Sequence, residues 1–184
     1  MNQTGSHRLG DISVHYVSVM ARTLEQLGHD SSRWLSRFRV SRNLLTTPEA
    51  RISIPRFMRM GHAAIQLTGH PALGLAFGGN TRPTDLGMPG IAAACAPTLA
   101  ESLSTLIAFE RLTSYNSRGQ SSTKTGADGS MIASFYSISP YNSYNCFVVD
   151  AILSGWVQFL RDLSPEPVTP LVVDIEYAAP VNPA

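Results

Sequence analysis

Apolar residues recur at helical spacing through the first hundred or so positions and at strand spacing after them. Asp11 reads as an N-cap, after which Ser13, Val14, Val17, Met20, Ala21 and Leu24 share one helical face. His15, Arg22 and Gln26 fall opposite, and Gly28 supplies the stop. A short second helix is predicted over 33–38. A third is capped by Ser53, carries Pro55 in its first turn, where a missing N–H costs little, and ends at Gly69. Its inner face is Phe57, Met58, Gly61, Ala64, Ile65 and Thr68. From 69 to 97 glycine and proline are dense, yet apolar residues are interleaved throughout, which predicts short helices joined by tight turns, with 91–96 buried. Thr98 and Glu101 form a capping box that opens a helix with Leu99, Leu103, Leu106 and Ile107 as its buried stripe.

After Tyr115 the period shortens. Strands are predicted over 121–127 and 130–138, joined by the two-residue turn Asp128-Gly129. In the second strand Ile132, Tyr136 and Ile138 face one side and Met131, Ala133 and Phe135 the other, the pattern of an interior strand. A helix over 144–163 buries Tyr144, Val148, Ala151, Ile152, Phe159 and Leu163. Over 171–177, Leu171, Val173, Ile175 and Tyr177 alternate with Val172, Asp174 and Glu176, which predicts a last strand. The order makes an α+β fold: a helical N-terminal layer, then a small, mostly antiparallel sheet with a covering helix. The whole of 1–184 reads as a single domain, about 1–115 helical and 118–184 hairpin, helix and strand.

Composition narrows the function. A chain of 184 residues can bury one real core, and 15% charged residues leave an unusually neutral surface. A net charge of +1 gives no electrostatic footprint for nucleic acid. No apolar run is long enough for a membrane span and no secretion signal opens the chain, so the expected compartment is the cytoplasm. There Cys95 and Cys146, far apart and without C-x-x-C spacing, are expected as buried thiols. The five histidines are scattered, and nucleophile-elbow, phosphate-loop and dinucleotide motifs are absent. No catalytic residue, metal or cofactor is predicted.

What remains points to a binding site. At about 100° per residue Glu110 falls between Leu103 and Leu106 on the apolar stripe, with Thr113 on the same side. Either the last turn frays and solvates this carboxylate, or it faces a pocket and pairs with Arg118 or a bound cation. Gly155 sits mid-helix between Val148 and Phe159, serving close packing or leaving space for a ligand. Phe135, Tyr136, Tyr141, Tyr144 and Trp156 would wall a cleft between sheet and helix, or form ordinary core. The candidate ligand residues are Glu110, Arg118, Phe135, Tyr136, Tyr144, Gly155 and Trp156.

Three phrases stand in a telling order: G-H-P-A-L-G-L from Gly69, R-P-T-D-L-G-M-P-G from Arg82, and A-P-T-L-A-E-S-L from Ala96. An A-R-I-S-I-P phrase from Ala50 and Leu27-Gly-His-Asp precede them. Over roughly 24–180 the chain resembles the N-terminal effector-sensing, arabinose-binding-like domain of AraC-type bacterial transcription regulators. The group resembled includes regulators of ornithine utilisation and of mycobacterial virulence. The resemblance implies a cytoplasmic module that binds a small-molecule effector, acts as a homodimer, and meets DNA only through a C-terminal domain with two helix-turn-helix units. That domain lies beyond this chain, and the sheet is expected to continue past Pro180. The resemblance names no ligand residues. Other readings stay open: a dimerisation module without a functional ligand, a small-molecule enzyme on a similar fold, or a redox sensor using Cys95 and Cys146.

Overall fold

Three strands too short to show any alternation tie the chain's front to its middle. The computed structural model of the protein describes residues 9–47, 49–117, 119–136 and 141–178. Strand β1, Gly10–Ser13, lies between β2, Arg51–Ser53, and β3, Ser114–Asn116, antiparallel to both. Ile12 pairs with Ile52, and both are buried. Asp11 is therefore a strand residue and not a helix cap; its carboxylate pairs with Arg51, whose Nη1 also donates to Leu112 O at 2.8 Å. The N-terminal layer is helical with this small sheet set into it.

Helices α1 (His15–Gln26), α2 (Ser31–Arg37) and α4 (Ile54–Thr68) stand where the periodicity predicts helices, and the single turn α3 (Arg42–Leu45) is one it did not predict. In α4, Met60 and Ala63 are buried beside Phe57, Gly61 and Ala64, while Met58, Ile65 and Thr68 are half-buried. Val17, Met20, Ala21 and Leu24 are buried as expected, and Val19 and Thr23 widen the buried face. In α4, Pro55 sits in the first turn and Gly69 closes the helix in the left-handed region at φ 64°, where a side chain would be strained. Next come α5 (Leu73–Gly79), α6 (Gly87–Ala94) and α7 (Leu99–Ala108). The amide of Glu101 donates to Thr98 Oγ1 at 3.2 Å, so the predicted cap opens α7. Thr98→Ala is expected to cost about 1 kcal/mol in a denaturant titration; an unchanged midpoint would show that tertiary packing alone fixes this helix start.

The turn between α5 and α6 is tied back to α1. Arg22 Nη2 meets Asp85 Oδ2 at 2.5 Å and Asn80 O at 2.6 Å, while Asp85 also accepts from the Arg82 amide. This gives the acid of the D-L-G phrase a structural role. The segment 91–96 is mostly exposed, with only Ala93 fully buried, because α6 packs one face on α7 and leaves Ile91 and Met88 outside. Cys95 is exposed and Cys146 half-buried, so neither is the sealed thiol expected from the sequence.

Strands β4 (Gln120–Thr125) and β5 (Met131–Tyr136) form the predicted hairpin in a sheet of their own. Its loop holds three residues and not two. Gly126 N donates to Ser130 O at 2.7 Å, Gly129 N returns to Gly126 O at 3.1 Å, and Gly129 takes the left-handed conformation at φ 82°. Because only β4 flanks it among the described residues, β5 is not an interior strand. Met131, Ala133 and Phe135 turn inward, whereas Ile132 and Tyr136 are exposed. Ile138 lies outside the described residues.

Helix α8 (Cys146–Leu163) covers the molecule's centre. The alternating run 171–177 forms no strand; Leu171, Val172, Val173 and Ile175 are exposed, and the segment is held to α8 where the Tyr177 hydroxyl meets Asp150. Strand pairing needs a neighbour, and this run finds none among the described residues. Ala179 and Pro180, at the expected strand's end, lie outside them.

Two apolar cores result. The larger gathers Val14, Val17, Met20, Leu24, Phe57, Met60 and Leu73 with Phe147 and Ala151 of α8. The smaller gathers Leu86, Ala93, Leu103, Leu106 and Ile107 with Phe159 of α8. Tyr16 packs against both.

Candidate functional site

A cavity of about 130 Å³ opens where the two cores meet. Its walls come from both: Ile12, Ile54, Phe57 and Phe77 on one side, Leu86, Leu106 and Ile107 on the other. Val148, Ile152, Gly155 and Trp156 of α8 close a third side, and Phe135 of the hairpin a fourth. The volume is near that of an apolar cavity known to take up a single benzene ring, about 150 Å³.

Polar residues are the minority of its lining. Glu110 lines the cavity from the 3-10 turn that follows α7. The helix ends at Ala108 and the chain tightens, which turns the carboxylate inward instead of fraying it into solvent. Its Oε1 accepts from Ser121 N at 3.1 Å, so the start of β4 is anchored to the cavity wall. Thr113 donates to Glu110 O at 3.1 Å and lies 3.3 Å from the Tyr16 hydroxyl. Burial pushes the Tyr16 phenol above its ordinary pKa; the Thr113 contact opposes this, and the nearby Glu110 charge adds to it. The phenol is therefore neutral across ordinary pH and can donate and accept. Thr81 adds one more hydroxyl.

Of the residues singled out from sequence, Glu110, Phe135, Gly155 and Trp156 line this cavity. Tyr136 does not; it is 64% exposed on the outer face of β5, because strand alternation turns it away from its neighbour Phe135. Tyr144 precedes α8 and stacks on His62 at the surface, ring centroids 4.2 Å apart. Arg118 lies outside the described residues. Sequence reasoning missed the front-half wall: Tyr16, Phe57, Phe77 and Thr81. Nothing local marks these as wall residues, since each sits among ordinary inward-facing neighbours, as Tyr16 does among Val14, Val17 and Val19. Thr113, placed beside Glu110 by the helical wheel, does border the cavity.

Among the described residues no group of three or more histidine, cysteine, aspartate or glutamate side chains is placed to hold a metal. No helix there is long and apolar enough to cross a membrane.

Comparison with protein families gives a match. The family described as the arabinose-binding domain of AraC transcription regulators, N-terminal, aligns with residues 28–184. The chain belongs to this family. Comparison with curated protein sequences finds no match. As an AraC-type arabinose-binding domain the protein is a ligand-sensing regulatory domain, a member of a regulatory family and not of an enzyme family. The motif phrases now have structural roles. Gly69 caps α4, Asp85 ties the turn to α1, Thr98 caps α7, and Gly74 lets α8 approach α5.

Proposed function

We propose that this domain senses a small effector held in the cavity between the two cores and passes its occupancy to a C-terminal DNA-binding domain. The observation that supports this most is the cavity itself: a mostly apolar, aromatic-walled space of about 130 Å³ with Glu110, Thr113 and Tyr16 linked in its wall. Interiors are ordinarily packed without such space, because each missing contact costs dispersion energy. Arabinose, for which the family is named, suits these walls poorly. A pentose carries a hydroxyl on nearly every carbon, and those turned toward the Ile, Leu and Phe side chains that make up much of this wall would lack a partner.

Control operates as a population shift. An effector that binds one packing of α8 against the cores more tightly than another biases the two states, a tenfold bias corresponding to about 1.4 kcal/mol. The exposed apolar residues Met88 and Ile91 of α6 supply a surface on which two copies associate as a homodimer. The direct test is a thermal-shift screen of amines, alcohols, acids and sugars on the purified chain, repeated on Val148→Phe. Val148 borders the cavity from α8, and the larger ring fills it. The expected result is a ligand that raises Tm by several degrees for the natural chain and by nothing for the filled one. Equal shifts in both would move the effector elsewhere.

A further inference from the structure

The hydrogen bonding of the cavity wall carries the ligand's chemistry further, and this step rests on the sensor reading above. The protons of three wall hydroxyls, those of Thr81, Thr113 and Tyr16, are already committed. Thr81 Oγ1 donates to Phe77 O at 3.1 Å, and Thr113 Oγ1 donates to Glu110 O at 3.1 Å. With the single Thr113 proton spent, the 3.3 Å contact between Tyr16 and Thr113 has the phenol as donor. Each of these hydroxyls therefore keeps only lone pairs to offer a guest. The Glu110 carboxylate has about four acceptor positions, and among the described residues the Ser121 amide fills one.

Charge follows the same pattern. The two ion pairs among the described residues, Arg22–Asp85 and Arg51–Asp11, already engage their arginines, and although the Arg51 charge is felt at Tyr16, no described lysine, arginine or histidine lines the cavity. Asn116 and Asn145 also border it, but a neutral amide cannot offset a ligand's negative charge. A carboxylic acid entering this space would meet the Glu110 carboxylate and only neutral polar groups, Ser114, Asn116 and Asn145 among them, with a full desolvation cost and no described counter-charge. An ammonium would meet the opposite: a carboxylate half-buried without a cationic partner among the described residues, acceptor oxygens, and the faces of Phe57, Phe77, Phe135 and Trp156.

We propose that the cavity takes a compact apolar amine, its ammonium on Glu110 and the Tyr16 oxygen and its body among the aromatic walls, and that it rejects carboxylic acids. The volume sets the body at about the size of one aromatic ring with a short arm.

Titration calorimetry of the full chain at pH 7.5 with benzylamine, benzyl alcohol, toluene and benzoate tests this. The expected order has benzylamine at least tenfold tighter than benzyl alcohol or toluene, and benzoate without binding. Glu110→Gln is expected to erase the amine's advantage while leaving toluene affinity unchanged, so toluene itself reports that the variant's cavity is intact. Tyr16→Phe, which keeps the ring, is expected to weaken benzylamine a few-fold and toluene not at all. Benzoate binding most tightly, above all if Arg118→Ala abolishes it, would overturn the amine assignment while leaving the sensor reading in place. An amine advantage that survives Glu110→Gln would do the same. If none of the four probes binds the folded natural chain, the cavity is not a ligand site and both readings fall.

Discussion

Gly78→Ala is expected to destabilise the protein by about 3 kcal/mol, the cost of forcing two helices apart. Helices α5 and α8 cross with almost nothing between them. A Cβ built on Gly78 would lie 2.5 Å from Gly155 N and 2.6 Å from Ala151 O. On Gly74 it would lie 2.7 Å from Phe147 O. These neighbours are backbone atoms, which cannot swing aside as a side chain tip can. Gly155→Ala is the control. Its Cβ would meet only Gly78 Cα, at 3.8 Å, an ordinary contact. Removing a mid-helix glycine is also worth up to about 1 kcal/mol in helix propensity, so this variant is expected to be neutral or slightly stabilised. The sequence singled out Gly155 as the residue of close approach or empty space. The steric need belongs to Gly74 and Gly78, and Gly155 borders the cavity. Urea titrations of the three variants decide the matter, and a larger loss at 155 than at 78 would reverse this account of the seam.

Phe147→Ala is expected to cost about 3–5 kcal/mol. Its ring, 2% exposed, stands in the first turn of α8 at 5.7 Å from Phe77 and 6.2 Å from Phe57, and against Gly61 of α4. The Phe77 contact is edge-to-face, the arrangement favoured by ring quadrupoles. Truncation removes transfer energy and leaves a void that α4, α5 and α8, already pinned by the glycine seam, cannot close. Because Phe57 and Phe77 also line the cavity, that void adjoins it. The variant is therefore expected to accept bulkier guests than the natural chain at the expense of Tm. A loss below about 1.5 kcal/mol with an unchanged m-value would mean that the rings are loosely packed.

Features decided within a few residues could be read from the sequence. Pro55 and Gly69 bound α4, Thr98 starts α7, and most of the predicted stripes of α1 and α7 are buried, Leu103, Leu106 and Ile107 fully and Leu99 only in part. Features decided by distant partners could not. Strand β1 pairs residue 10 with residue 116, and no window around either shows it. The run 171–177 alternates correctly yet stays unpaired among the described residues, since alternation states what a strand would bury and not what it would bond to. The site divides the same way. Glu110 was visible because a carboxylate on an apolar stripe breaks a local rule, and Phe135 and Trp156 because aromatics cluster there. Tyr16, Phe57 and Phe77 obey local rules as ordinary inward-facing residues; only tertiary structure separates wall from core.

The Glu110 carboxylate belongs to two neighbourhoods at once. Toward the interior it faces the cavity; toward the outside it holds the Ser121 amide at the root of a two-stranded ribbon. Such a ribbon is marginal alone and depends on what fastens it; here a Ser104–Thr123 hydroxyl contact of 3.4 Å also fastens it to α7. On the sensor reading proposed above, a guest that draws electron density from the carboxylate takes it from that amide. Occupancy inside would then change how firmly the hairpin outside is held.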